Sequence, residues 1–201
     1  MFLKLNKEIT SIICYELNEI PESIIKFYIK KYPNSNLSKL LNSSSFFKTN
    51  VSEERHLHPW SVWPTVHRGV ASSIHKINFI NQDKKSANIF PPIWEYLAKK
   101  DITVGVHGSL QSYPPFLNKN IKFFLPDTFA PEPSAHPLYL KRIQELNLHL
   151  IDVSRGRIKV SISKIIPLFI NLTKQGILNF KTLVSLCFHL LCEKLNYLYK
   201  S

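Results

Sequence analysis

Three short apolar runs, separated by stretches that open on proline, limit what this chain can fold into. Ile9–Leu17 and Ile102–His107 are rich in β-branched residues, and Ile121–Leu125 is a third such run. Continuous apolar runs of this length, without strict polar alternation, predict strands covered on both faces. Between them, Pro21 precedes Glu22–Lys31, with acid in the first turn and lysine in the last, which is the polarity of a helix. Pro91-Pro92 opens an expected helix over Ile93–Lys100, and a shorter one is expected over Leu37–Leu41, ended by Asn42–Ser45. Strand, helix and strand in succession predict an α/β fold: a mainly parallel sheet flanked by helices.

In such sheets, sites form beyond the carboxyl ends of the strands. Three sets of polar groups fall there: Glu16 with Asn18, His107 with Ser109, and Asp127 with Thr128. Between the first two runs lies His58-Pro59-Trp60-Ser61-Val62-Trp63-Pro64-Thr65-Val66-His67-Arg68-Gly69-Val70, the most unusual stretch of the chain. Pro64 biases Trp63 away from helical geometry, so a helix is expected to begin at Thr65 and run from Val66 to Lys76. A hydroxyl there would sit among unpaired helix-N-terminal amides, where phosphate is readily held. The plainer alternative is a tryptophan-rich packing loop whose Thr65 caps a helix.

The 201 residues suffice for one sizeable domain, and 44% hydrophobic content with 12% aromatics is the composition of a globular protein. The formal net charge of +12 suits an anionic partner or substrate. The lysines are nevertheless scattered, with no zinc-finger spacing and no dense basic helix, so specific nucleic-acid recognition is not expected. Three cysteines (Cys14, Cys187, Cys192) form neither a metal spacing nor a paired disulfide framework. With no leader-like N-terminus and no run near the roughly 18–20 apolar residues of a membrane span, a cytoplasmic location is expected.

Three segments together resemble the alkaline phosphatase superfamily, closest to its type I phosphodiesterase/nucleotide pyrophosphatase-like members. They are Tyr15-Glu16-Leu17-Asn18-Glu19, Trp63-Pro64-Thr65, and Phe124-Leu125-Pro126-Asp127-Thr128-Phe129-Ala130-Pro131. The resemblance covers roughly residues 9–150 and implies a metal-dependent phosphoester hydrolase or transferase, usually with two zinc ions. It implies Thr65 as nucleophile, activated by the metal. Asn18, or Glu16, stands where the family has a metal-binding Asp; Asp127 and His136 stand as the later ligands. His67, Arg68 and His107 are the candidate substrate contacts. The implied substrate is a phosphate-ester small molecule, or one linked to a glycan or lipid.

The chain departs from that pattern. Asn18 offers a neutral carbonyl in place of a carboxylate, although Glu16 would lie on the same strand face. Asp127 and His136 are spaced more widely than the compact family arrangement, and no Asp-His pair follows His136. A C-terminally truncated domain is therefore expected over residues 1–153, followed by a helical lid or packing segment over 154–201.

In that order, a helix is expected over Leu138–Leu148, a turn at Ser154–Arg157, then the apolar, lysine-punctuated stretches Ile162–Leu172 and Leu178–Tyr199. These could seat a partner chain or touch a membrane surface. Two alternatives to the hydrolase follow: a non-catalytic remnant or subunit that binds a protein, and a basic module for nucleic acid or anionic lipid. A Ser109-based triad is disfavoured because no G-x-S-x-G turn is present. His56 and His58 are expected in a solvated loop, Gln82-Asp83 in a turn, and His75, His149 and His189 as structural or surface residues.

Overall fold

The computed structural model describes residues 11–49, 58–85, 88–156 and 162–176, with isolated positions between 178 and 192. Helix α1 is Glu22–Lys31, with Glu22 bonded to Lys26 one turn on at 2.6 Å. Helix α2, Asn36–Asn42, is capped by Ser35, whose hydroxyl accepts the Ser38 amide at 3.2 Å. Both form where the proline, charge and serine signals place them.

Helix α3 spans Pro59–Arg68 and ends at Gly69, which adopts φ 66°. Helix α4 is the single turn Ser72–His75. The expected helix over Val66–Lys76 is thus two pieces, and its first piece begins at Pro59 rather than at Thr65. Pro59 is preorganised for the first helical position, while Gly69 takes a left-handed conformation that other residues resist. Pro64 lies inside α3 and cannot donate to the Trp60 carbonyl four residues back. Gln111 Nε2 approaches that carbonyl at 3.4 Å and compensates in part for the lost bond.

Helix α5 (Ile93–Lys99) leads into strand β1 (Val104–His107), which pairs in parallel with β2 (Ile121–Leu125). Val106 lies opposite Phe124, and His107 opposite Leu125. Phe124 also exchanges two backbone bonds with His136, at 2.6 and 2.9 Å, in an antiparallel bridge on the far side of β2. The core is Trp94, Ala98, Val106, Ile121 and Phe124. A 3-10 turn, Leu138–Leu140, leads into α6 (Lys141–Ser154), and α7 is Ile162–Lys174. The buried Gln144 of α6 donates to the Asp127 carbonyl at 2.8 Å, tying α6 to the end of β2.

The chain is therefore α/β in character, with helices around a small parallel sheet of two strands among the described residues. Over its described part, the expected first strand is not formed. Residues 11–17 run as irregular chain, with Ile12, Ile13 and Tyr15 75–91% exposed and only Glu16 partly covered. This segment is held by side-chain bonds instead of a backbone ladder. Ile9 and Thr10 lie outside the described residues, as does most of Leu178–Tyr199. No described helix is long and apolar enough to cross a membrane.

Phe124 has no exposed surface and receives the edge of the Trp94 ring, with centroids 6.1 Å apart. Phe124→Ala is expected to cost about 3–5 kcal/mol of stability, read as a lowered midpoint in chemical denaturation.

Candidate functional site

The carboxyl end of β1 carries a cluster drawn from three distant parts of the chain. Gly108, with φ 67°, turns the backbone out of the strand and presents Ser109. The Ser109 hydroxyl donates to Glu16 Oε2 at 3.2 Å, while Glu16 Oε1 lies 2.7 Å from His67 Nε2. Two residues on, Asn18 Oδ1 accepts the Trp63 indole N–H at 3.1 Å. Glu16 and Asn18 thus fasten the N-terminal segment to one face of α3.

His67 is 6% exposed and lies among aromatic rings. Trp63, one turn earlier on α3, stacks on it at 5.8 Å, and Trp94 meets it edgewise at 4.9 Å. Burial works against ionisation of Glu16. The hydrogen bond and charge of His67, aided by the Ser109 hydroxyl, outweigh it and hold the carboxyl below its ordinary value.

Thr65 occupies the last turns of α3, away from its unpaired N-terminal amides. Its hydroxyl donates to the Ser61 carbonyl at 3.1 Å and lies 2.9 Å from His75 Nε2. His75 has no exposed surface, and its Nδ1 accepts the Ile77 amide at 2.9 Å. That bond requires a bare Nδ1, so the ring proton sits on Nε2 and points at Thr65. His75 in this tautomer donates to the threonine oxygen and does not take its proton.

The other expected site residues are dispersed. Arg68 donates to the Phe90 carbonyl and lines a cavity beside α5. His107 ends β1 with its side chain exposed. His136 is engaged through its backbone in the bridge to Phe124. Asp127 is buried after β2 and accepts the Phe129 amide at 2.8 Å. Burial raises the Asp127 carboxyl above its ordinary value, against backbone donors and the nearby Lys84 ammonium.

Among the described residues, no three His, Cys, Asp or Glu side chains converge as a metal would require. Glu16 is committed to His67 and Ser109, Asn18 to Trp63, and Asp127 to backbone amides. The described donors do not fit a zinc centre. His67, expected as a substrate contact, is engaged with Glu16, and Trp94, which supports it, carried no signal in the sequence. His75 carried none either, because a lone histidine near a turn has no diagnostic spacing. His56 and His189 lie outside the described residues.

No protein-family model matches the chain, nor does any curated protein or solved structure.

The folded-state pKa of Glu16 lies below its ordinary 4.5, so its stabilisation is present above that pH and fades as pH falls through the lowered value. Acid titration followed by tryptophan fluorescence is expected to release Trp63 in that range. Glu16→Gln should remove this step from the titration and lower stability at neutral pH by about 1–3 kcal/mol.

Proposed function

We propose that this chain is a phosphoester hydrolase or transferase of the alkaline phosphatase type, with Thr65 as nucleophile. The observation that carries this reading is spatial. Two of the three sequence segments that resemble that superfamily are bonded to each other, and the third leaves the sheet at the end where Ser109 follows β1. Tyr15–Glu19 reaches Trp63 through Asn18 and reaches His67 and Ser109 through Glu16. Phe124–Pro131 leaves β2 directly beside the end of β1, where His107 pairs with Leu125. This is where ligands gather in open parallel sheets. Arg68 and His107 remain the proposed phosphate contacts.

The described donors do not assemble a metal site. Residues outside the described set, or a partner chain seated on the C-terminal helices, would have to supply the missing ligands.

A second reading is favoured by the surroundings of Thr65. Its proton is held by the Ser61 carbonyl, and the neighbouring histidine presents a proton of its own. A threonine nucleophile needs a base or a metal to activate it, and neither is in place among the described residues. That arrangement supports a non-catalytic member that retains the fold and binds a ligand or a partner.

One set of assays separates the two. With zinc added, turnover of p-nitrophenyl phosphate or its bis-ester is expected, falling at least about 1000-fold in Thr65→Ala while circular dichroism is unchanged. Absence of zinc-dependent turnover, or equal turnover in the variant, removes the catalytic reading. Steep weakening of nucleic-acid or vesicle binding with added salt, indifferent to Thr65→Ala, would instead assign a basic binding module.

A further inference from the structure

Helices α1 and α2 contribute no residue to the core, and the turn between them is closed by polar bonds. The Ser38 hydroxyl donates to the Tyr32 carbonyl at 2.7 Å, and the Ser35 amide donates to the same oxygen at 3.1 Å. Helix α1 buries none of its residues, and α2 buries only Ser38. A helix of ten residues is marginal in water by itself, and packing of an apolar face is what ordinarily holds one. On α1 that face is at hand. Ile24, Phe27 and Tyr28 recur at helical spacing and form one stripe, with Ile24 56% and Phe27 62% exposed. Glu22, Lys26 and Lys30 follow one another at four-residue intervals on another side of the helix.

Charge points to what covers the stripe. Between Ile20 and Thr49 the chain carries five lysines and a single carboxylate, Glu22. Lys26 at 2.6 Å and Lys48 at 3.4 Å share that carboxylate. Lys30, Lys31 and Lys39 pair with no carboxylate among the described residues. Lys31 follows the apolar stripe, and its ammonium lies 5.8 Å from the Phe27 ring centre and 5.4 Å from that of Tyr32. Its stem thus runs along aromatic surface while its head reaches water, as lysines do at a membrane boundary. The cores of protein–protein interfaces are depleted of lysine, whereas helices that lie on membranes pair it with exposed aromatic and aliphatic side chains.

We propose that α1 lies on a bilayer surface that carries anionic lipid, with Ile24, Phe27 and Tyr28 in the acyl boundary and Lys30, Lys31 and Lys39 against the headgroups. This surface shares no residue with Thr65 or the Glu16 cluster, so it stands whether or not the chain is a hydrolase. Turnover of soluble p-nitrophenyl phosphate needs no membrane, so failure of one reading leaves the other intact. Vesicle binding by a chain that also turns over that substrate supports both.

Co-sedimentation of the full chain with lipid vesicles tests the proposal. Equal parts phosphatidylcholine and phosphatidylserine are expected to bind the chain at least about tenfold more tightly than phosphatidylcholine alone. Phe27→Ser leaves the charge unchanged, so it separates insertion of the apolar face from adsorption of a basic protein. Its affinity should fall about tenfold, with the melting temperature unchanged because the ring is largely exposed. Lys30→Gln combined with Lys31→Gln should weaken binding by at least about tenfold and flatten its salt dependence. No binding to the mixed vesicles, or affinity unchanged in either variant, overturns the proposal. A dimer in sedimentation velocity that Phe27→Ser dissociates, without vesicle binding, also overturns it and assigns the face to a second copy of the chain.

Discussion

Trp94 joins the core of this protein to its candidate site. One side of its ring meets Phe124, the fully buried centre of β2, and another meets His67 on α3. His67 in turn holds Glu16, and Glu16 holds Ser109 at the end of β1. Apolar burial fixes the first contacts, and a charge-assisted bond fixes the last. The small sheet and the helix beside it are thereby locked into one arrangement with few backbone bonds between them. The N-terminal segment depends on that lock, since residues 11–17 pair with no strand.

Helix α3 shows how local conflict is settled by distant residues. Pro64 deprives the Trp60 carbonyl of its helical donor, and the side chain of Gln111, from the loop after β1, turns toward that oxygen. The same side chain donates to the Phe79 carbonyl at 2.6 Å. The loop that carries Gln111 also carries Ser112 and Tyr113, so the repair of α3 and the wall of the cavity are one structural unit. Thr65 sits on the same helix, and its hydroxyl bonds follow from helical geometry on one side and from the fold of α4 on the other.

Much of the secondary structure was legible because its signals are local. Pro21, Pro91-Pro92 and the apolar run at Ile121–Leu125 mark α1, α5 and β2 within a residue, and the parallel pairing of β1 with β2 bears out the α/β expectation in its coarse form. Ile9–Leu17 misled because an apolar, β-branched run predicts burial only where a neighbouring strand presents an edge. Within the described residues no edge meets it, and Ile12, Ile13 and Leu17 stay exposed to solvent. The helix expected after Pro64 misled for the opposite reason: a proline penalty inside a helix is tolerable when another group attends to the orphaned carbonyl.

What the sequence alone determined is therefore part of the inventory: where α1, α2 and α5 form, two of the three expected strands, and that His107, Ser109 and Asp127 lie at strand ends or just beyond them. Tertiary structure decided which of these groups meet. It put Glu16 on His67 across 51 residues, turned the His75 proton toward Thr65, and drew Lys84 and Arg68 to the wall of one cavity. The division has a physical cause. Helix caps and proline constraints act within a few residues, and a sequence states them directly. A side chain's protonation, partner and solvation depend on groups brought close only when the chain closes long loops, and their order in the sequence does not encode that distance.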